Sequence, residues 1–197
     1  MAWRRWAEAM TRPRPRITVV ADQSASAVAM AERRDRIAAE VNIVSVDPDD
    51  AHAKWCLAQY YAELNRRFEH GFDPVAGHPV DPDDMRPPAG LFLLATLAGE
   101  PVACGVLRVH EQNWSEIKRL WVDADARGLG LGGLLLAELE HRAATFGSWT
   151  VRLDSNRSLR EAIVIYRRAG YIEVPAFNEN PYADHWFEKQ LVAPAAR

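Results

Sequence analysis

Four glycines crowd into "ARGLGLGGLL", Ala126 to Leu135, at positions 128, 130, 132 and 133, with Arg127 just before them. A glycine-rich turn that runs into an apolar, helix-forming stretch suits a diphosphate. The first N–H groups of a helix lack internal acceptors and point outward with the positive end of the helix dipole behind them. Glycine removes the Cβ that would hold an anion off, and Arg127 can add a charge-assisted hydrogen bond. The spacing reads two ways. Gly128, Gly130 and Gly133 spell G-x-G-x-x-G, a dinucleotide fingerprint, and Asp154 falls 21 residues after Gly133, where an acid would meet the ribose hydroxyl. Arg127, Gly130 and Gly132 spell R-x-x-G-x-G instead.

The elements around the loop favour the second pattern. A dinucleotide glycine follows its strand directly, whereas "DADAR" intervenes here. The strand itself, "EIKRLWV", carries Glu116, Lys118 and Arg119, which a strand buried on both faces of a parallel sheet does not tolerate. Only 43 residues follow Asp154, too few for a second nucleotide-binding half or a substrate domain. A P-loop fails as well, because Leu134 stands where a lysine is required.

The rest of the chain reads as alternating elements. "VNIVSV" predicts a strand, and "DPDD" stops it and starts a helix, with Asp47 as N-cap and Pro48 at the first helical position. That helix runs to about Phe68, with Leu57, Tyr61, Leu64 and Phe68 on one face. Residues 70–90 hold five prolines and three glycines and form a long loop. "GLFLLATLA", "PVACGVLRVH" and "SEIKRLWV" follow as a three-strand meander. After the loop come the helix "GGLLLAELEHRAATFG", the strand "WTVRLD", the helix "SNRSLREAIVIYRRAG" and the closing strands "YIEV" and "HWFEKQL". Gly147 and Gly170 end the two helices. The layout is mixed α/β. Residues 1–40 read as an N-terminal extension, basic and amphipathic in "MAWRRWAEAMTRPRPR" and helical in "SASAVAMAERRDRIAAE", and residues 193–197 as a tail.

Composition narrows the function classes. A chain of 197 residues with 48% hydrophobic and 26% charged content builds one ordinary globular domain. Its net charge of −3 speaks against nucleic acid or an anionic membrane as the main partner. The longest apolar runs fall well short of the ~20 residues of a membrane span, and no secretory leader is apparent. Six scattered histidines offer no pair at metal-ligand spacing, so no metal is expected. Cys56 and Cys104 read as buried thiols. A cytoplasmic enzyme, monomer or homodimer, is the expectation.

From residue 41 to 192 the chain resembles the GNAT N-acetyltransferases. The resemblance is carried, in order, by "SEIKRLWVDADARGLGLGGLLLAELE", "VRLDSN" and "SLREAIVIYRRAGYIEV". It implies a central, mostly antiparallel sheet flanked by helices, with acetyl-CoA as co-substrate. Arg127, Gly128, Leu129, Gly130, Leu131, Gly132 and Gly133 would cradle the diphosphate. The pantetheine arm would pair with the backbone of Leu120, Trp121 and Val122, and the Leu120 amide would stabilise the oxyanion of the tetrahedral intermediate. Asn156 would hydrogen-bond the cofactor arm or the substrate.

Acetyl transfer to an amine raises two proton problems. An alkylammonium of pKa ~10.4 must lose its proton before attack, and a thiolate resembling that of cysteine, pKa ~8.5, leaves more readily once protonated. By the resemblance Tyr166 is the acid. Glu116, eleven residues before Arg127 as in histone-acetylating relatives, is the base, with a water chain as the other route. Strand alternation places Glu116 on one face with Lys118 and Leu120. The acceptor site would be walled by "EHGFDPVAGHPVDPDDMRPP", whose acidic residues favour a cationic amine, and by "FNENPYADHWFEK". Tyr60, Tyr61, Asn178, Tyr182 and His185 are its candidate lining. The reading is an N-acetyltransferase acting on a primary amine by direct attack, a small molecule such as an amino acid or polyamine being favoured over a protein lysine or N-terminus. A noncatalytic acyl-CoA-binding module and an NAD-binding oxidoreductase are the alternatives.

Overall fold

A computed structural model describes residues 27–76 and 81–191. The basic segment at the N-terminus and the tail 193–197 lie outside the described residues. In chain order the elements are α1 (Ala27–Glu40), β1 (Asn42–Val46), α2 (Ala51–Arg67), β2 (Gly90–Leu97), β3 (Glu100–His110), β4 (Trp114–Val122), α3 (Leu131–Thr145), β5 (Thr150–Ser155), α4 (Arg160–Arg168), β6 (Ile172–Val174) and β7 (His185–Gln190). The seven strands form one sheet in the order β1-β2-β3-β4-β5-β7-β6. Every neighbouring pair is antiparallel except β4 with β5.

Helices cover both faces, so the central strands bury both sets of side chains. On β2, Leu91, Leu93 and Ala95 join the core under α3 and α4, while Phe92 and Leu94 join the core under α2. That period of two explains why "LFLLA" is apolar throughout. Ile37 of α1 is also buried in the core under α3, so α1, which belongs to the segment read as an extension, packs on the domain. Cys56 and Cys104 are buried and unbridged.

Helix α2 starts three residues later than the cap pattern suggests. Asp50, not Asp47, is the N-cap, and its Oδ1 accepts from the amides of His52 at 2.8 Å and Ala53 at 3.3 Å. Asp47 instead accepts from the amide of Asp49 and from Arg86. Two consecutive turn-forming sites in "DPDD" allow either start, and the guanidinium takes the first.

Two irregularities of β4 build the cleft. The parallel ladder with β5 covers only Trp114–Glu116 against Thr150–Arg152, so from Ile117 onward β4 has an open edge. A bulge then shifts the β3–β4 register between Cys104 and Val106, with Arg119 at φ +55. The bulge corrects the expected alternation. Glu116 and Lys118 stay on the α2 side, but Leu120 turns over to the α3 side, where its Cδ1 lies 3.5 Å from the Cβ position of Gly105. Trp121 turns back and meets Trp55 edge to face at 5.9 Å.

Candidate active site

The splay between β4 and β5 opens a cleft with two connected compartments. The outer one, about 550 Å³, runs between Leu120–Val122, the glycine loop and α4. The inner one, about 90 Å³, lies between β4, the end of β5 and α2. Tyr60, Leu64, Leu120, Leu159 and Ala162 line both, and so mark the junction.

A glycine-rich backbone forms one side of the outer compartment. Gly128 and Gly130 hold φ +80 and +85, a left-handed conformation that other residues resist. Gly130 is the N-cap of α3, and the amides of Leu131 and Gly132 precede its first bonds. Gly132 is spaced for close packing, since a Cβ there would meet Ile165 Cδ1 at 2.9 Å, whereas Gly133 faces open space. Leu129 is buried, so only its backbone can serve a ligand. Arg127 lines the cleft but is tied down. Its Nη2 donates to Glu63 at 2.5 Å and to the Val122 carbonyl at 3.1 Å. Glu63 accepts from Trp121 Nε1 as well, and although burial opposes ionisation, Arg127 holds its pKa below the usual range. Arg34, Arg67 and Arg168 add positive charge to the lining, and Arg34 Nε donates to the Gly128 carbonyl at 3.3 Å.

Side chains dominate the inner compartment. Tyr60, Tyr61, Phe68, Phe72 and Tyr182 form much of its wall, with Asp154 and Arg119 among the charged groups. Tyr166 is 5% exposed and lines it too. Among the described residues its hydroxyl has no hydrogen-bond partner, and burial, then the charge of Asp154, push its pKa up, so the phenol stays protonated. Asp154 accepts from Asn180 and Asn178, both at 2.8 Å, and its Oδ2 lies 3.6 Å from Lys118 Nζ. Lys118 donates to Glu116 at 2.8 Å. Glu116 is 5% exposed. Burial works against its charge, yet the hydrogen bond from His110 and the charge of Lys118 bring its pKa down to about 2.

The family model for the acetyltransferase (GNAT) family matches residues 57–171, more than half of the chain. The chain belongs to the GNAT family. An IAA acetyltransferase of Azospirillum brasilense is 28% identical over 127 residues, 64% of this chain and 82% of that one. An uncharacterised N-acetyltransferase of Schizosaccharomyces pombe is 32% identical over 149 residues, 72% and 87% of the two chains. A provisionally named acyl-CoA N-acyltransferase of Klebsiella pneumoniae superposes with a TM-score of 0.63 at 28% identity, covering 78% of this chain and 99% of that one. Membership makes the protein an acetyl-CoA-dependent N-acetyltransferase. The dinucleotide reading of Gly128, Gly130 and Gly133 falls, since β4 and β5 form a lone parallel pair with antiparallel strands on either side.

The GNAT fold brings most, not all, of the sequence candidates together. Leu120, Trp121, Val122, Arg127, Gly128 and Gly130–Gly133 line the outer compartment, with Tyr60 at the junction. Tyr61, Asn156, Tyr166 and Tyr182 line the inner one. Asn156 has both polar atoms engaged, Nδ2 donating to the Tyr182 carbonyl at 2.7 Å and Oδ1 accepting from Ser158 at 2.9 Å. Asn178 and Glu116 stand one layer behind, bonded to each other at 3.3 Å. His185 turns to Glu173, 2.6 Å away, outside the lining. The long loop walls the chamber through Phe72 and Pro74 and not through its acids, of which Asp83 pairs with Arg86 and Asp84 with Arg108. Sequence reading missed Asp154 as a chamber carboxylate, Asn180, Arg119 and Arg34. Asp154 was signalled, as the acid closing a strand, but under the wrong ligand. Among the described residues no group of three or more His, Cys, Asp or Glu could hold a metal, and no helix is long and apolar enough to cross a membrane.

Proposed function

We propose that acetyl-CoA occupies the outer compartment and that a small primary amine enters the inner one and attacks the thioester directly in a ternary complex. The carrying observation is the junction: Leu120 and Ala162 border both compartments, so a thioester laid along β4 meets an amine without either leaving its site. The free edge of β4 supports pairing of the pantetheine arm with Leu120–Val122, and the loop from Arg127 to Gly133 supports a diphosphate. In this reading the Leu120 amide stabilises the oxyanion and Tyr166 protonates the departing thiolate. Asn156 fixes the turn beside them.

A carboxylate held near pKa 2 is too weak a base to strip an alkylammonium of ~10.4 directly. Glu116 therefore acts with Lys118 and Asp154 as one net negative cluster that attracts the ammonium, and the proton leaves through water. Asn178 orients that cluster. The small chamber, about 90 Å³, supports a small molecule over a protein acceptor. Two unpaired cysteines suit the cytoplasm. The test is thermal unfolding with acetyl-CoA, CoA and NADH in parallel, then an amine screen for thiol release. Acetyl-CoA at ~100 times its dissociation constant adds ~2.7 kcal/mol of apparent stability. A rise with NADH alone would overturn the reading.

A further inference from the structure

Arg119 is the charged group of the chamber lining that holds a buried donor without an acceptor. Its guanidinium sits 5.7 Å over the Tyr61 ring, and its Nε donates to the Tyr61 hydroxyl at 2.7 Å. Nη1 is closed off from solvent without an acceptor. Among the described residues Nη2 makes no hydrogen bond and no carboxylate pairs with the group. A guanidinium carries five N–H donors, and leaving a charged donor buried and unpaired is costly. The cost is held in place by backbone at φ +55, a conformation that an arginine adopts only where its surroundings impose it.

We infer that the acceptor amine also carries a carboxylate, as an amino acid does, and that Arg119 receives that carboxylate. The inference rests on the acetyltransferase reading of the cleft. Charge in the chamber is separated in the same sense as in a zwitterion. Glu116, Lys118 and Asp154 share one positive and two negative charges, a net −1 that suits the ammonium. Arg119 forms the other pole. A polyamine would have to bring a second ammonium close to Arg119 within a chamber of about 90 Å³. Rings of Tyr60, Phe68, Phe72 and Tyr182 leave an apolar wall for a side chain.

Acetylation rates with acetyl-CoA are compared for the common L-amino acids, for the decarboxylated amine of each, and for spermidine. The expected result is a kcat/KM for the best amino acid at least ~100-fold above its own amine, because a site built to bond a charged group rejects the analogue that lacks it. In Arg119→Gln that ratio falls towards one, and Arg119→Lys retains part of it, since a point charge replaces a two-pronged donor. Equal rates for amino acid and amine, or a ratio that survives in Arg119→Gln, would overturn the inference while leaving the acetyltransferase reading intact. A missing acetyl-CoA-induced rise in melting temperature would instead overturn that reading. If Arg119→Gln does not fold, the wild-type pairs decide alone. If nothing turns over, calorimetric titration of the CoA complex with each pair makes the same comparison: tighter binding of the amino acid supports the inference and equal binding overturns it.

Discussion

The outer compartment draws about half of its lining from one stretch, Leu120 to Gly133, and the rest from Arg34, α2, Leu159 and α4, whereas the inner compartment gathers residues from α2, the loop after it, β4, β5, α4 and the segment before β7. The first offers a helix dipole and unpaired amides, which would bind any diphosphate tail alike. The second offers an aromatic wall, a guanidinium and a carboxylate cluster, which can tell one acceptor from another. Under the proposed function, cofactor binding and acceptor choice occupy physically different kinds of structure, joined at residues such as Leu120 and Ala162, and each should be alterable without the other.

Gly133→Asp is expected to break the outer half most completely. A Cβ at Gly133 meets nothing within 4 Å, so the fold has room for the change. An acid in the first turn of α3 stabilises the helix by about 0.5 kcal/mol through the dipole. The same carboxylate stands where the diphosphate would lie, and like charges brought together cost several kcal/mol, roughly 10³-fold in kcat/KM. Melting temperature holds or rises slightly, while the acetyl-CoA-induced rise disappears. A variant that still responds to acetyl-CoA would move the diphosphate away from the loop.

The inner half is sharpened by Glu116. Its folded pKa of about 2 lies below the ordinary 4.5, so its stabilisation is complete above pH 4.5 and is lost as pH falls through about 2. A shift of that size corresponds to about 3 kcal/mol. Glu116→Gln should lower stability in urea by that order at pH 7, because Lys118 loses its nearest partner. The gap between variant and wild type should narrow between pH 4.5 and pH 2. A gap independent of pH would mean that packing, not charge, holds Glu116 in place.

The contrast between the halves also explains what could be read from the chain. Spacing of Arg127, Gly130 and Gly132 is local, so the loop and the edge of β4 beside it were visible as a pattern. The strand order of the meander followed from short turns between apolar runs. The chamber was harder, because residues far apart in sequence converge there and no spacing relates Tyr60 to Asp154 or Asn180. The bulge at Arg119 was hidden too, since strict alternation along "EIKRLWV" keeps Leu120 on the face of Glu116 and Lys118 and no residue type there marks the shift. A charge count of the long loop also ignores pairing: Asp83 meets Arg86 and Asp84 meets Arg108.

Tyr166→Phe separates chemistry from both kinds of binding. The hydroxyl has no partner among the described residues, so stability changes little. Loss of a positioned proton donor lowers kcat by about 100-fold. KM for acetyl-CoA should hold. Burial and Asp154 push the phenol above its ordinary range, so the wild-type kcat stays on its plateau up to at least about pH 10. A fall below that pH, absent in the phenylalanine variant, would show that Tyr166 titrates as an ordinary phenol.

The smallest expected effect belongs to the start of α2, and it tests whether the wall of the chamber depends on the whole helix. Asp50 Oδ1 accepts from two amides of the first turn, and its replacement by alanine should cost about 1 kcal/mol. Asp47→Ala should cost less, since Asp47 is itself exposed and caps no helix. The first half of α2 places Ala53, Trp55, Cys56 and Leu57 in the core, and only the second half, from Tyr60 to Arg67, reaches the cleft. Fraying the first turn therefore removes stability without moving Tyr60, Tyr61 or Glu63. Urea midpoints should fall for Asp50→Ala while KM for acetyl-CoA and for the amine stay within about twofold, the scale of a few tenths of a kcal/mol. A rise in the acceptor KM alone would show that strain in α2 is transmitted along the helix to the aromatic wall, and would make the inner half dependent on elements well outside it.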